Sequence, residues 1–248
     1  VSDEMAEHAR KAGIAESLAK VRERIERACV NAGRSSGEVG LSAVTKTFPA
    51  SDAALLADLG VTDLAENRDQ EAAPKVREFH RLRPHSRVRW HMVGQLQRNK
   101  ARSVVRWADV VESVDSRRLV EALQRAVGGA LESGERSEPL DALLQVNLEQ
   151  RTDRGGCTPE EVPELAEMIT RMCEIRLCGV MAVAPLNEDP DVAFATLSGI
   201  SERLRRDFSE AREVSAGMSG DLESAIAHGS TRVRVGTALL GGRPLVSP

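Results

Sequence analysis

The chain has 248 residues, 41% of them hydrophobic and 29% charged, with 34 basic against 38 acidic side chains and a formal net charge of −4. This composition excludes wholesale disorder and collagen-like or low-complexity classes. The mild acidity and the scarcity of aromatics (two Trp, four Phe, no Tyr) argue against a nucleic-acid partner. No apolar run approaches the roughly 20 residues that span a bilayer, so no membrane partner is expected. Cys29, Cys157, Cys173 and Cys178 form no zinc or redox motif, so reduced thiols and a cytoplasmic location are expected. Only five lysines occur, Lys11, Lys20, Lys46, Lys75 and Lys100, which makes each one informative.

Residues 1–15 read as an N-terminal tail, and residues 16–248 as one domain. Leu18, Val21, Ile25 and Ala28 recur at helical spacing over 16–32. Strands are expected at 39–46, 63–65, 88–93, 109–114, 140–148, 176–184, 213–216 and 232–235. Helices are expected between them, at 53–59, 68–80, 97–107, 116–131, from Thr158, around 197–208 and at 219–228. Thr158-Pro159-Glu160-Glu161 has the pattern of a helix start, and 128–139 reads as a flexible loop. Eight strands alternating with helices predict a parallel α/β (β/α)8 barrel preceded by an extra helix. The rival open doubly wound sheet lacks its glycine fingerprint after the first strand.

Barrel sites gather at the C-terminal ends of strands. There the sequence places Lys46, Glu66-Asn67, His91, Asn147, the segment 181–185, Met218-Ser219 and the segment 234–237. A partly desolvated lysine at the end of LSAVTK suits Schiff-base chemistry, or simply emerges into solvent. The segments 217–221 and 236–237 follow the seventh and eighth strands, where barrels commonly bind phosphate; ordinary capping, with Ser219 as N-cap, reads equally well. Arg234, between Val233 and Val235, points to the opposite face from both. If that face is the barrel interior, its charge needs a partner. Together, an amine, a phosphate cradle and an inward guanidinium fit one cofactor, pyridoxal 5′-phosphate (PLP).

The segments AVTKTFP (43–49), AENRDQEA (65–72), RWHMVGQLQRNK (89–100), VDS (114–116), GVMAVAP (179–185) and GMSGDLESAIAHGSTRVRVGTALLGGR (217–243) carry a family resemblance. The chain closely resembles the PLP-binding YggS/PROSC family, the pyridoxal phosphate homeostasis proteins. The resemblance implies a fold-type III barrel like the N-terminal domain of alanine racemase, with PLP held as a lysine aldimine. It implies Lys46 as the Schiff-base lysine, Arg234 facing the pyridine nitrogen, and Ser219, Gly236 and Thr237 lining the phosphate. Asn67 and Met218 become pocket-wall residues, and His91 falls near the site. Thr45 and Ala65 stand where the family usually has Ser and Gly. Arg154 replaces a common Lys, so a second lysine's part in passing on the cofactor is not carried over.

Racemases of this fold use a tyrosine from an added domain. This chain has no Tyr and ends soon after its last barrel segment, so a non-catalytic PLP-binding role in vitamin B6 homeostasis is expected. The implied recipients are PLP-dependent apoenzymes, and a monomer is expected over a dimer. The alternatives are a slow PLP-dependent amino-acid racemase and a barrel that binds another phosphorylated metabolite.

Overall fold

The structure, a computed structural model, describes residues 2–149 and 155–242. Eight parallel strands close into a barrel in sequence order: β1 (Gly40–Val44), β2 (Asp63–Glu66), β3 (Arg89–Met92), β4 (Val110–Val114), β5 (Leu140–Gln145), β6 (Ile175–Met181), β7 (Glu213–Ser215) and β8 (Arg232–Val235). The helices are α1 (Ser2–Asn31), α2 (Ala50–Asp58), α3 (Asp69–Leu82), α4 (Ala101–Val104), α5 (Arg117–Glu132), α6 (Val162–Thr170), α7 (Pro190–Asp207), α8 (Leu222–Ala227) and α9 (Thr237–Leu240). The expected (β/α)8 barrel is the fold observed.

Several boundaries differ, each for a local reason. The residues expected as a tail belong to α1, which runs from Ser2; its buried face of Ile14, Leu18, Val21 and Ile25 starts at Ile14, and Arg10 ties the preceding turns to Asp52. Helix α6 starts at Val162, four residues after Thr158. Pro163 has no N–H to give the carbonyl of residue 159, so an α-helix cannot begin at 159, whereas a proline fits the first turn of a helix starting at 162. Only half of the expected cap forms, as Thr158 N donates to the Glu161 carboxylate at 2.8 Å. The helix expected at 97–107 is a 3-10 turn (Arg98–Lys100) followed by the single turn of α4. The loop at 128–139 is partly the end of α5, and its remainder is pinned by Arg136. That guanidinium donates to the carbonyls of Val105, Ala108, Glu138 and Pro139.

The apolar core lies between the barrel and the helices, with Leu56, Leu64, Phe79, Trp90, Leu123, Leu144 and Phe194 buried in it. Phe79 and Trp90 meet edge to face at 5.3 Å. The barrel lumen is different. Alternate residues of the strands face inward, and those of β2, β3, β4, β7 and β8 include Asp63, His91, Glu112, Ser215, Arg232 and Arg234. The four cysteines are free thiols. Among the described residues no helix is long and apolar enough to cross a membrane.

Candidate functional site

Strand β1 pairs with β8 and β2, and β7 with β8, so the expected site segments emerge side by side at the C-terminal rim. Ser42 stands opposite Arg234, and Arg234 N donates to the Gly217 carbonyl at 2.9 Å. The loops carrying Lys46, Gly217 to Asp221, and Gly236-Thr237 therefore start from three neighbouring strands, with Asn67 just past the fourth, β2.

Lys46 lies two residues beyond β1 and is exposed, the second of the two readings that its position in the sequence allowed. Its loop is held from behind. Glu66 Oε1 accepts from Thr45 Oγ1 at 2.5 Å and from Lys75 Nζ at 2.6 Å, while Lys75 also donates to the Thr45 carbonyl at 2.8 Å. Burial raises the Glu66 pKa above the usual glutamate value, against the pull of Lys75. Thr47, next after Lys46, adopts φ 68°, a left-handed conformation that costs a threonine free energy and marks a backbone constrained by its surroundings.

The loop after β7 differs from expectation. Ser219 is not an N-cap: Ser219 to Asp221 form a turn, and α8 begins at Leu222. Asp221 accepts from Met218 N at 2.6 Å, which folds the turn on itself. Met218 is 38% exposed beside the rim, Ser219 is half-buried and Thr237 is exposed. At Gly236 the chain passes so close to β1 that a Cβ would stand 3.1 Å from the Val44 carbonyl, tighter than a side chain accepts comfortably. A glycine there keeps backbone at the rim, the surface that a phosphate group uses.

Arg234 points into the lumen as expected and is 5% exposed. Its Nη1 donates to Ser215 O and Oγ, both at 2.7 Å, and its Nη2 donates to the Ala182 carbonyl at 2.9 Å. The nearest carboxylate, Glu112, is 3.9 Å away. Burial lowers the Arg234 pKa from the usual arginine value, and Glu112 opposes that shift.

His91 is the main correction. It does not stand at the rim but lies inside the barrel, 0% exposed, with Nδ1 2.7 Å from Glu112 Oε1 and Nε2 2.9 Å from Asp63 Oδ1. Both ring nitrogens are occupied, so it has no free atom for a ligand. Asn67 is held near the rim by β3: a Cβ on Gly94 would lie 2.0 Å from the Asn67 carbonyl, so only glycine permits this approach. Arg154 lies outside the described residues. Sequence reasoning missed Glu112, Ser215, Asp63 and the Glu66–Lys75 pair. The available signal was a charged or hydroxyl residue inside an otherwise apolar strand, as in VVESV.

The chain is similar to known proteins of one family. The alanine racemase N-terminal domain family matches residues 17–244. A protein of Mycobacterium bovis named pyridoxal phosphate homeostasis protein is 46% identical over 248 residues, covering 96% of each chain. One of the same name from Escherichia coli is 37% identical, covering 93% of this chain and 97% of its own. The chain belongs to the pyridoxal phosphate homeostasis protein family. Within the structures similar to this family member, PipY of Synechococcus elongatus with PLP bound is 33% identical with a TM-score of 0.75, covering 92% of this chain and all of that one. Alanine racemase of Corynebacterium glutamicum shares the fold alone, at 14% identity and a TM-score of 0.66, with 62% of its chain covered.

Proposed function

We propose that this family member is a cytoplasmic protein that binds PLP reversibly and serves its intracellular homeostasis. The observation that carries the reading is the placement of an exposed lysine, Lys46, in the loop that leaves β1, the strand next to the one bearing the buried, inward-pointing Arg234. The residues present fit the cofactor. Lys46 offers the amine, the Ser219 turn and the Gly236-Thr237 backbone offer donors to a phosphate, and Arg234 offers a guanidinium to the ring nitrogen. Asn67 and Met218 form walls. When bound, PLP supplies an aldehyde that an amine captures reversibly with loss of water, and sequestering so reactive a group limits its reaction with other amines.

Arg234 also bears on whether turnover accompanies binding. A fixed cation beside the ring nitrogen opposes its protonation and weakens the ring as an electron sink. No tyrosine exists in the chain to act as a second base. These points support a carrier over a racemase. The test compares the PLP-loaded protein with Lys46→Ala for turnover of D- and L-amino acids. The expected result is saturable PLP binding that Lys46→Ala loses, with no amino-acid turnover above the variant's background. Sustained Lys46-dependent racemisation would overturn the carrier reading.

A further inference from the structure

Among the described residues, one connected network in the lumen joins six charged groups, three of each sign: Asp63, Glu112 and Glu213 against His91, Arg232 and Arg234. One chain of contacts runs through them to the rim. Asp63 meets His91, His91 meets Glu112 Oε1, Ser215 Oγ donates to Glu112 Oε2 at 2.6 Å, and Arg234 Nη1 donates to the same Ser215 oxygen. At the Arg234 end of this chain the directions are fixed by chemistry. A guanidinium only donates and a carboxylate only accepts, so the Ser215 hydroxyl must accept from Arg234 and donate to Glu112. Three of the five guanidinium N–H groups are committed to Ser215 and Ala182, leaving two.

We propose that Glu112 and Ser215 are positioning residues for the ring-nitrogen end of bound PLP. Glu112, backed by His91, locks the Ser215 hydroxyl, and that hydroxyl holds the Arg234 guanidinium turned toward the rim rather than onto the carboxylate. The inference rests on the reading that PLP lies with its ring nitrogen at Arg234. Without the Ser215 hydroxyl, Arg234 Nη1 keeps its bond to the Ser215 carbonyl but loses the oxygen that bridges it to Glu112, already 3.9 Å away. A direct ion pair then competes with the ring nitrogen for the guanidinium, because opposite charges attract strongly in a buried setting.

The experiment measures the affinity of PLP and of its carbocyclic analogue, in which C–H replaces the ring nitrogen, for the wild type, Ser215→Ala and Glu112→Gln. Wild type should prefer PLP. Ser215→Ala should lose that preference by about tenfold, the size of one charge-assisted hydrogen bond, and Glu112→Gln, whose neutral amide holds the Ser215 hydroxyl more weakly, by less, while binding of the analogue changes less than about twofold. Ser215→Ala removes one atom and keeps the fold most safely, and a thermal melt verifies this for each variant. Equal losses for both ligands, or no loss, would overturn the proposal. Borohydride trapping in the wild type separates the two levels. If neither ligand is captured on Lys46, the reading beneath the inference fails, whatever the variants do.

Discussion

His91 lies between two carboxylates at 2.9 and 2.7 Å, and this geometry dictates its charge. A neutral imidazole has one N–H, so one carboxylate would face a lone pair. Only the imidazolium donates to both. Burial pulls its pKa down, but the hydrogen bonds to Asp63 and Glu112 outweigh burial and raise it above the usual histidine value. Burial likewise opposes ionisation of Glu112, yet the bond to His91 and the neighbouring Arg234 hold that carboxyl down to about 2. The signs for stability follow. The raised His91 contributes stability that is complete below about pH 6.5 and is lost as pH rises through its folded value. The depressed Glu112 contributes stability present above about pH 4.3 and lost as pH falls toward about 2. Thermal melts should therefore decline on both sides, and 15N shifts of His91 at pH 7 should report two protonated ring nitrogens. A neutral ring at that pH, with melting flat from pH 6.5 to about 9, would contradict this account.

Helix α1 is the element whose purpose the sequence hid. Its arginines reach across the seam between the first and last parts of the barrel. Arg10 grips Asp52 of α2 at 2.6 Å and the Leu240 carbonyl of α9 at 3.2 Å, and lies 5.8 Å over the Phe48 ring. Arg24 binds Glu223 of α8 with two bonds, at 2.8 and 2.9 Å, and donates to the Ser219 carbonyl at 3.1 Å. Arg34, just past the helix, donates to the carbonyls of Ile226 and Ser230. The helix thus touches the Lys46 side and the Ser219 turn together. Arg24→Ala should weaken PLP binding about two- to fivefold, the scale of a partly exposed ion pair, and leave pyridoxal, which lacks the phosphate, nearly unchanged. Parallel titrations of the two ligands check this, and equal losses would mean that Arg24 does not act through the phosphate turn.

For the whole molecule, what was legible follows from where the apolar residues lie. Strands buried on both faces read as mostly apolar runs, as in β4 and β5, and the alternation of such runs with helices let the barrel be counted. The expected first strand, 39–46, overruns β1 by Thr45 and Lys46, because nothing in the local sequence marks where strand pairing stops, so Lys46 lies in a loop rather than at a strand end. Arg234 was correctly turned inward by alternation with Val233 and Val235. His91 was named for its motif, but its distance from the rim depends on Asp63 and Glu112, which lie 28 and 21 residues away in sequence. Contacts of that kind have no periodic signature, and the same holds for Glu66 behind Lys46. The proposed function stands on Lys46 as the amine that captures PLP. The most direct measurement is borohydride reduction of the PLP-loaded protein followed by peptide mass mapping. The predicted result is a pyridoxyl group on the Lys46 peptide alone. Label spread over Lys75, Lys100 and other lysines, or no label, would contradict it.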